Sequence, residues 1–187
     1  MRRAAHRIKR HVAISALLAA TALPCAAQEA AGAAAESTGA AQQTAGEVAA
    51  LLESLRQAEG KAAERIARQI RSAWSRSGSA AMDLLLRRGR EALEAEDYRR
   101  AVEHLTALTD HAPGFAEGWA SRALAFYNQG EFMLALADLE RALALNPRHF
   151  GALQGVGAVM QRLDRPEIAW QAYEEVLALY PDNTQVR

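Results

Sequence analysis

The 187-residue sequence has one cysteine, five prolines and few aromatic residues, 6% in all, and neither sign of charge prevails, with 22 basic and 22 acidic residues. A single cysteine excludes a disulfide framework. Balanced charge argues against a chain built for broad contact with a polyanion. The scarcity of aromatics, set beside 44 alanines, argues against a sheet, because strands favour aromatic and β-branched side chains whereas alanine has the highest helix propensity. The length admits one compact domain with processing or linker sequence attached, and 50% apolar residues suffice for its core. The expectation is an all-α fold.

Signatures of chemistry are also missing. No Gly-rich phosphate loop and no Gly-x-Ser-x-Gly elbow occurs. His6 and His11 fall in the N-terminal leader, and His104, His111 and His149 do not pair at the four-residue spacing of a helical zinc site. Glu94, Glu96, Glu140, Glu174 and Glu175 fall on helix ends and polar faces, where they serve solubility. The sequence is therefore read as a non-enzyme, with no cofactor and no metal. His149, in the run NPRHF, is expected in an open, solvated turn.

The N-terminus carries Arg2, Arg3, Arg7, Lys9 and Arg10 without an acid, followed by an apolar run of 12 residues from Val12 to Leu23. A basic start, a short apolar stretch and the small residues Ala26 and Ala27 are the layout of a secretory signal peptide over 1–27, cleaved after Ala27. The apolar run is shorter than the roughly 20 residues of a membrane-spanning helix, so no stable span is expected once the signal is cleaved. An uncleaved anchor, a lipid on Cys25 and a twin-arginine signal at Arg2 and Arg3 match less well; Pro24, next to the cysteine, suits a lipobox poorly. Cleavage leaves no thiol and 17 basic against 22 acidic residues, a net charge of −5, which disfavours nucleic acid as a partner. A periplasmic location is expected.

Residues 28–46 hold no large apolar side chain and read as a flexible Ala-rich linker. Between 47 and 79, Val48, Leu51, Leu52, Leu55 and Ala58, then Ala62, Ile66, Ile70 and Trp74, recur at helical spacing. Gly60 interrupts them, which predicts two helices forming a hairpin rather than one long helix, and the run SRSGS at 75–79 predicts a turn after the second.

Beyond residue 80, Pro113, Pro147 and Pro181 are spaced by 34 residues. The same shift aligns Gly89 with Ala123 and Gly157, Ala101 with Ala135 and Ala169, Leu105 with Leu139 and Tyr173, and Leu108 with Ala142 and Val176. Small residues at the first two columns let paired helices approach closely, and the large ones fill the space between pairs. Turns inside the pairs are expected at Glu96–Asp97, Gly130–Glu131 and Asp164–Arg165, and each proline should end a second helix.

With these columns the sequence resembles the tetratricopeptide repeat family, in units of 82–115, 116–149 and 150–183 within a domain of 80–187. It departs from the family pattern at Leu85, Ala92, Leu153 and Met160, in usually aromatic columns, and at Arg88 and Arg122, in a usually leucine column. The resemblance implies an α-α superhelix, or solenoid, of three helix pairs preceded by a helical hairpin. That hairpin reads as a degenerate repeat or cap standing ahead of the first unit.

The resemblance also implies a concave groove that receives a protein or peptide segment, lined by Leu86, Arg90, Leu93, Leu124, Tyr127, Asn128, Gln154 and Gln161, with Ala120 and Ala158 between them. The family's clamp for a C-terminal carboxylate is not reproduced, because Leu86, Ser121 and Gly151 stand where polar or basic groups are needed. An adaptor that binds a segment of a protein of unknown identity is the leading expectation. Two alternatives remain: a self-associating envelope component, and an accessory subunit of an envelope enzyme. The homo-oligomer follows from the short tail after Pro181, which is expected to leave Val176, Leu179 and Tyr180 uncovered.

Overall fold

The structure is a computed structural model of the chain, and it describes residues 45–186. The signal peptide and nearly all of the linker lie outside the described residues. Among the described residues the secondary structure is helical, with no strand: α1 spans 45–57, and α2 (Gly60–Trp74), α3 (Ala80–Glu94), α4 (Tyr98–His111), α5 (Ala116–Gln129), α6 (Phe132–Leu145), α7 (Phe150–Arg162) and α8 (Pro166–Leu179) follow. The last two linker residues, 45 and 46, already belong to α1.

Helices α3–α4, α5–α6 and α7–α8 form the three pairs, and successive pairs join through α4 on α5 and α6 on α7. Contacts of α5 with both α3 and α7 bring the first helices of the pairs into one row. Repetition of the sequence reappears as repetition of the backbone. The turn inside each pair has one residue in the left-handed region, Glu96 at φ 56°, Gly130 at φ 82° and Asp164 at φ 56°, 34 residues apart like the prolines. Before the prolines, Ala112, Asn146 and Tyr180 leave helical geometry with φ of −133°, −141° and −139°, as the pyrrolidine ring demands of its predecessor.

The small columns do what their spacing implied. A Cβ on Gly89 would lie 2.5 Å from Leu105 Cγ, and one on Gly157 would run into the Tyr173 ring, so each glycine admits the bulky residue of the paired helix. Leu105 and Leu108 are fully buried in a core shared by α3, α4 and α5. Each such side chain contributes about 1.5–3 kcal/mol through removal from water.

The N-terminal hairpin lies elsewhere than expected. Val48, Leu52 and Leu55 of α1 and Ala63, Ala67 and Ile70 of α2 share a core with Phe150, Leu153, Val176 and Tyr180, and that cluster holds no residue of α3 or α4. The Gly60 amide donates to Asp182 Oδ2 at 2.6 Å, which ties the bend of the hairpin to the chain after α8. The hairpin thus covers the third unit, not the first. Val176 and Tyr180, expected to be uncovered, are 0% and 7% exposed. The reason is apolar burial: the α1–α2 stripe lies over the third unit and takes Val176 and Tyr180 out of water. Large exposed apolar residues remain at Met133 and Leu134 on α6 and at Ile168 and Trp170 on α8.

Candidate functional site

The row of first helices leaves a groove of about 610 Å³. Its lining shows how the 34-residue repeat builds a surface, since Arg90, Leu124 and Ala158 occupy one column on α3, α5 and α7. Leu93 and Tyr127 come one turn later on α3 and α5, while Ala120 and Gln154 come one turn earlier on α5 and α7. These seven expected residues are brought together. Leu124 is the large apolar side chain most open to solvent there, at 51%.

Three expected residues fall outside the lining. Leu86 is only 2% exposed and packs with Ala92, Ala101, Leu105, Leu108 and Ala125, so it belongs to the core of the first unit. Its column mates Ala120 and Gln154 are small or polar, whereas a leucine facing Leu105 and Ala125 gains by turning inward. Asn128 is exposed and spends an amide hydrogen on the Leu124 carbonyl at 3.0 Å, within its own helix. Gln161 accepts from the Tyr173 hydroxyl at 3.0 Å, and it is Tyr173 that reaches the groove. Burial, and secondarily Tyr127, raises the Tyr173 pKa above its ordinary value.

Other lining residues were invisible in the sequence because they act as a chain across elements. Arg90 Nη1 donates to Ser75 Oγ at 2.9 Å, and its Nη2 donates to Glu117 Oε1. The other oxygen of Glu117 meets His149 Nε2 at 2.9 Å. His149 Nδ1 accepts from the Ala152 amide at 3.1 Å, capping α7, which leaves Nε2 to carry the hydrogen that faces the carboxylate. The expectation of a solvated His149 is corrected: the residue is 4% exposed, with Trp74 stacked on its ring at 4.6 Å. A cap, a carboxylate and an indole together outweigh the solvation that a turn position suggests.

The groove therefore contains few charges that are free to act. Arg90 and Glu117 serve each other, and the remaining cation in the lining, Arg71, is exposed and lies over the Phe150 ring at 5.7 Å. Arg122, one of the two departures in the leucine column, does not reach the groove. It makes a two-bond pair with Asp138 at 2.7 and 2.8 Å, donates to Thr109 at 2.9 Å and covers the Trp119 ring at 4.9 Å. Among the described residues, no group of three or more side chains could hold a metal ion, and no helix is long and apolar enough to cross a membrane.

Comparison with known proteins agrees with this geometry. The family model described as Tetratricopeptide repeat matches residues 116–149. A TPR repeat-containing protein of Rhizobium etli is 32% identical over 126 residues, 67% of this chain and 62% of that protein. Small glutamine-rich tetratricopeptide repeat-containing protein 2 of Saccharomyces cerevisiae is 30% identical over 51% of this chain and 28% of its own length. The chain thus spans less than two thirds of these relatives. Among solved structures, the first TPR of Spaghetti (RPAP3) bound to HSP90 peptide SRMEEVD is 29% identical, with a TM-score of 0.56 over 58% of this chain and 86% of that one. YrrB, described as a TPR protein with an unusual peptide-binding site, is 18% identical with a TM-score of 0.54 over 66% of this chain and 62% of its own, a likeness of fold alone. The 34-residue columns, the stacked helix pairs and these matches together make the chain a member of the tetratricopeptide repeat family.

Proposed function

We propose that this protein is a non-enzymatic adaptor that holds a segment of a partner protein in the groove between α3, α5 and α7. The observation that carries the reading is the groove itself: about 610 Å³, open to solvent, and floored by side chains such as Leu93, Leu124 and Tyr127 that the fold leaves partly uncovered. A recess of this volume with an apolar floor and a few polar groups is what a binding site requires. Support also comes from the relative at 29% identity, whose structure contains a bound HSP90 peptide. The basic leader and the apolar run of 12 residues support export and a periplasmic place of work.

Self-association through Val176 and Tyr180 loses its original motive, because α1 and α2 bury both residues. Arg90 is also a poor residue to mutate as a test of binding, since its bonds to Ser75 and Glu117 hold the groove together. Leu124 and Tyr127 are better. The test is capture of a partner from the native envelope by wild type and by Leu124→Glu/Tyr127→Ala, with the mass of each protein followed by light scattering. The adaptor reading expects one partner lost from the double variant while mass is unchanged. Equal capture by both proteins would rule out this groove. Cell fractionation tests the location: the chain, shortened by its first 27 residues, should appear in the periplasmic fraction, and full-length chain in the cytoplasm would contradict export.

A further inference from the structure

We infer that the segment this groove takes is apolar and free of acidic residues, an inference that rests on the groove reading above. Charge complementarity carries it. An acidic tail needs cations left free to receive it, and Arg90 is already committed to Glu117 and Ser75. Glu117, only 12% exposed, offsets the Arg90 charge in the same place and is itself held by His149. Leu86 is turned into the core, and Ser121 and Gly151 carry no charge, so the inner row offers no further cation at those positions.

What the middle of the groove presents instead is Leu93, Ala120, Leu124, Tyr127 and Ala158, a surface that gains by being covered with apolar groups. This surface continues an apolar interface already formed within the chain. Trp74, at the end of α2, lies on His149 and Phe150 at the edge of the groove with ring separations of 4.6 and 5.0 Å. That edge of the groove is therefore backed by stacked rings and continues the apolar character of the floor. Arg71 is the single cation left at the edge, where Gln185 and Gly151 also lie. It sits on the ring of Phe150, not over the Leu124 shelf.

The test is selection of a random seven-residue displayed library on the full chain, with the synthetic acidic peptide SRMEEVD as a reference ligand and Leu124→Glu and Arg71→Ala as variants. Selected peptides should be rich in Leu, Phe, Met or Trp and poor in Asp and Glu. Their affinity should fall at least about tenfold with Leu124→Glu, the effect of placing a charge on a central apolar contact. It should change by less than about twofold between low and high salt, because screening acts on charges and not on apolar burial. Leu124 is half exposed, so its replacement should leave the fold intact, and thermal unfolding of the variant checks this. Acidic winners, or tight binding of SRMEEVD, lost with Arg71→Ala would overturn the inference while leaving the groove as a binding site. An absence of winners, or winners indifferent to Leu124→Glu, would overturn both.

Discussion

Arg122 stands where the repeat pattern calls for leucine, and its surroundings explain how the fold tolerates it. Side-chain exposures of 14% for Arg122 and 7% for Asp138 put the pair inside the protein, where each charge depends on the other. Removing one partner leaves the other charge buried and uncompensated, a loss of about 3–5 kcal/mol. In the third unit the same two columns hold Val156 and Ala172. Arg122→Val alone should therefore lower unfolding free energy by about 3–5 kcal/mol, and adding Asp138→Ala should restore most of it. Thr109 would remain satisfied through the Thr106 carbonyl at 3.0 Å. Denaturant unfolding of the singles and the double checks this, and a double variant as unstable as the single would show that the pair is not what holds Arg122 in place. At this scale the sequence was legible only in part. Leu93, Leu124 and Tyr127 were placed by the resemblance to the repeat family, whereas the inward turn of Leu86 and the Ser75–Arg90–Glu117–His149 chain arise between elements that no local pattern relates.

Elements were far more legible, because their boundaries come from local backbone chemistry. Proline spacing placed the ends of α4, α6 and α8, and the break at Gly60 separated α1 from α2 with φ at +54°. The tight turns offer a quantitative check. Gly130 takes φ of 82° without a side chain to clash, while Glu96 and Asp164 hold the same turn position at φ 56° against a steric cost. Glu96→Gly and Asp164→Gly should each raise stability by about 0.5 kcal/mol, after the greater freedom of glycine in the unfolded chain is subtracted. Gly130→Ala should lower it by about 1 kcal/mol, with open space around the added Cβ leaving backbone strain as the cause. Thermal melts of the three variants measure this, and a destabilised Asp164→Gly would mean that its side chain holds the turn.

For the whole molecule, the number and order of the units could be read in advance, and the docking of the hairpin could not. A 34-residue period states which helices pair, but an amphipathic hairpin can cover either end of such a stack, and only the match of apolar surfaces decides. Here α1 and α2 bury Phe150, Val176 and Tyr180, so the stability of the third unit should depend on residues roughly a hundred positions away in sequence. Leu55 is fully buried in that cluster, and Leu55→Ala should cost about 2–5 kcal/mol. Hydrogen exchange should then show protection falling in α8 more than in α3 and α4. Loss confined to α3 and α4 would contradict the docking.

The hairpin borders the groove through Arg71, and Met133 on α6 is exposed outside the groove lining. The groove is the proposed place of entry for a partner segment. Site-specific photo-crosslinking tests it most directly, with a photoreactive amino acid introduced at Leu124 in one protein and at Met133 in another, both exposed positions. An adduct with a discrete partner from position 124 and none from position 133 is the expected result. Adducts from position 133 alone would contradict binding in the groove and move the interaction to the exposed surface of α6 around Met133.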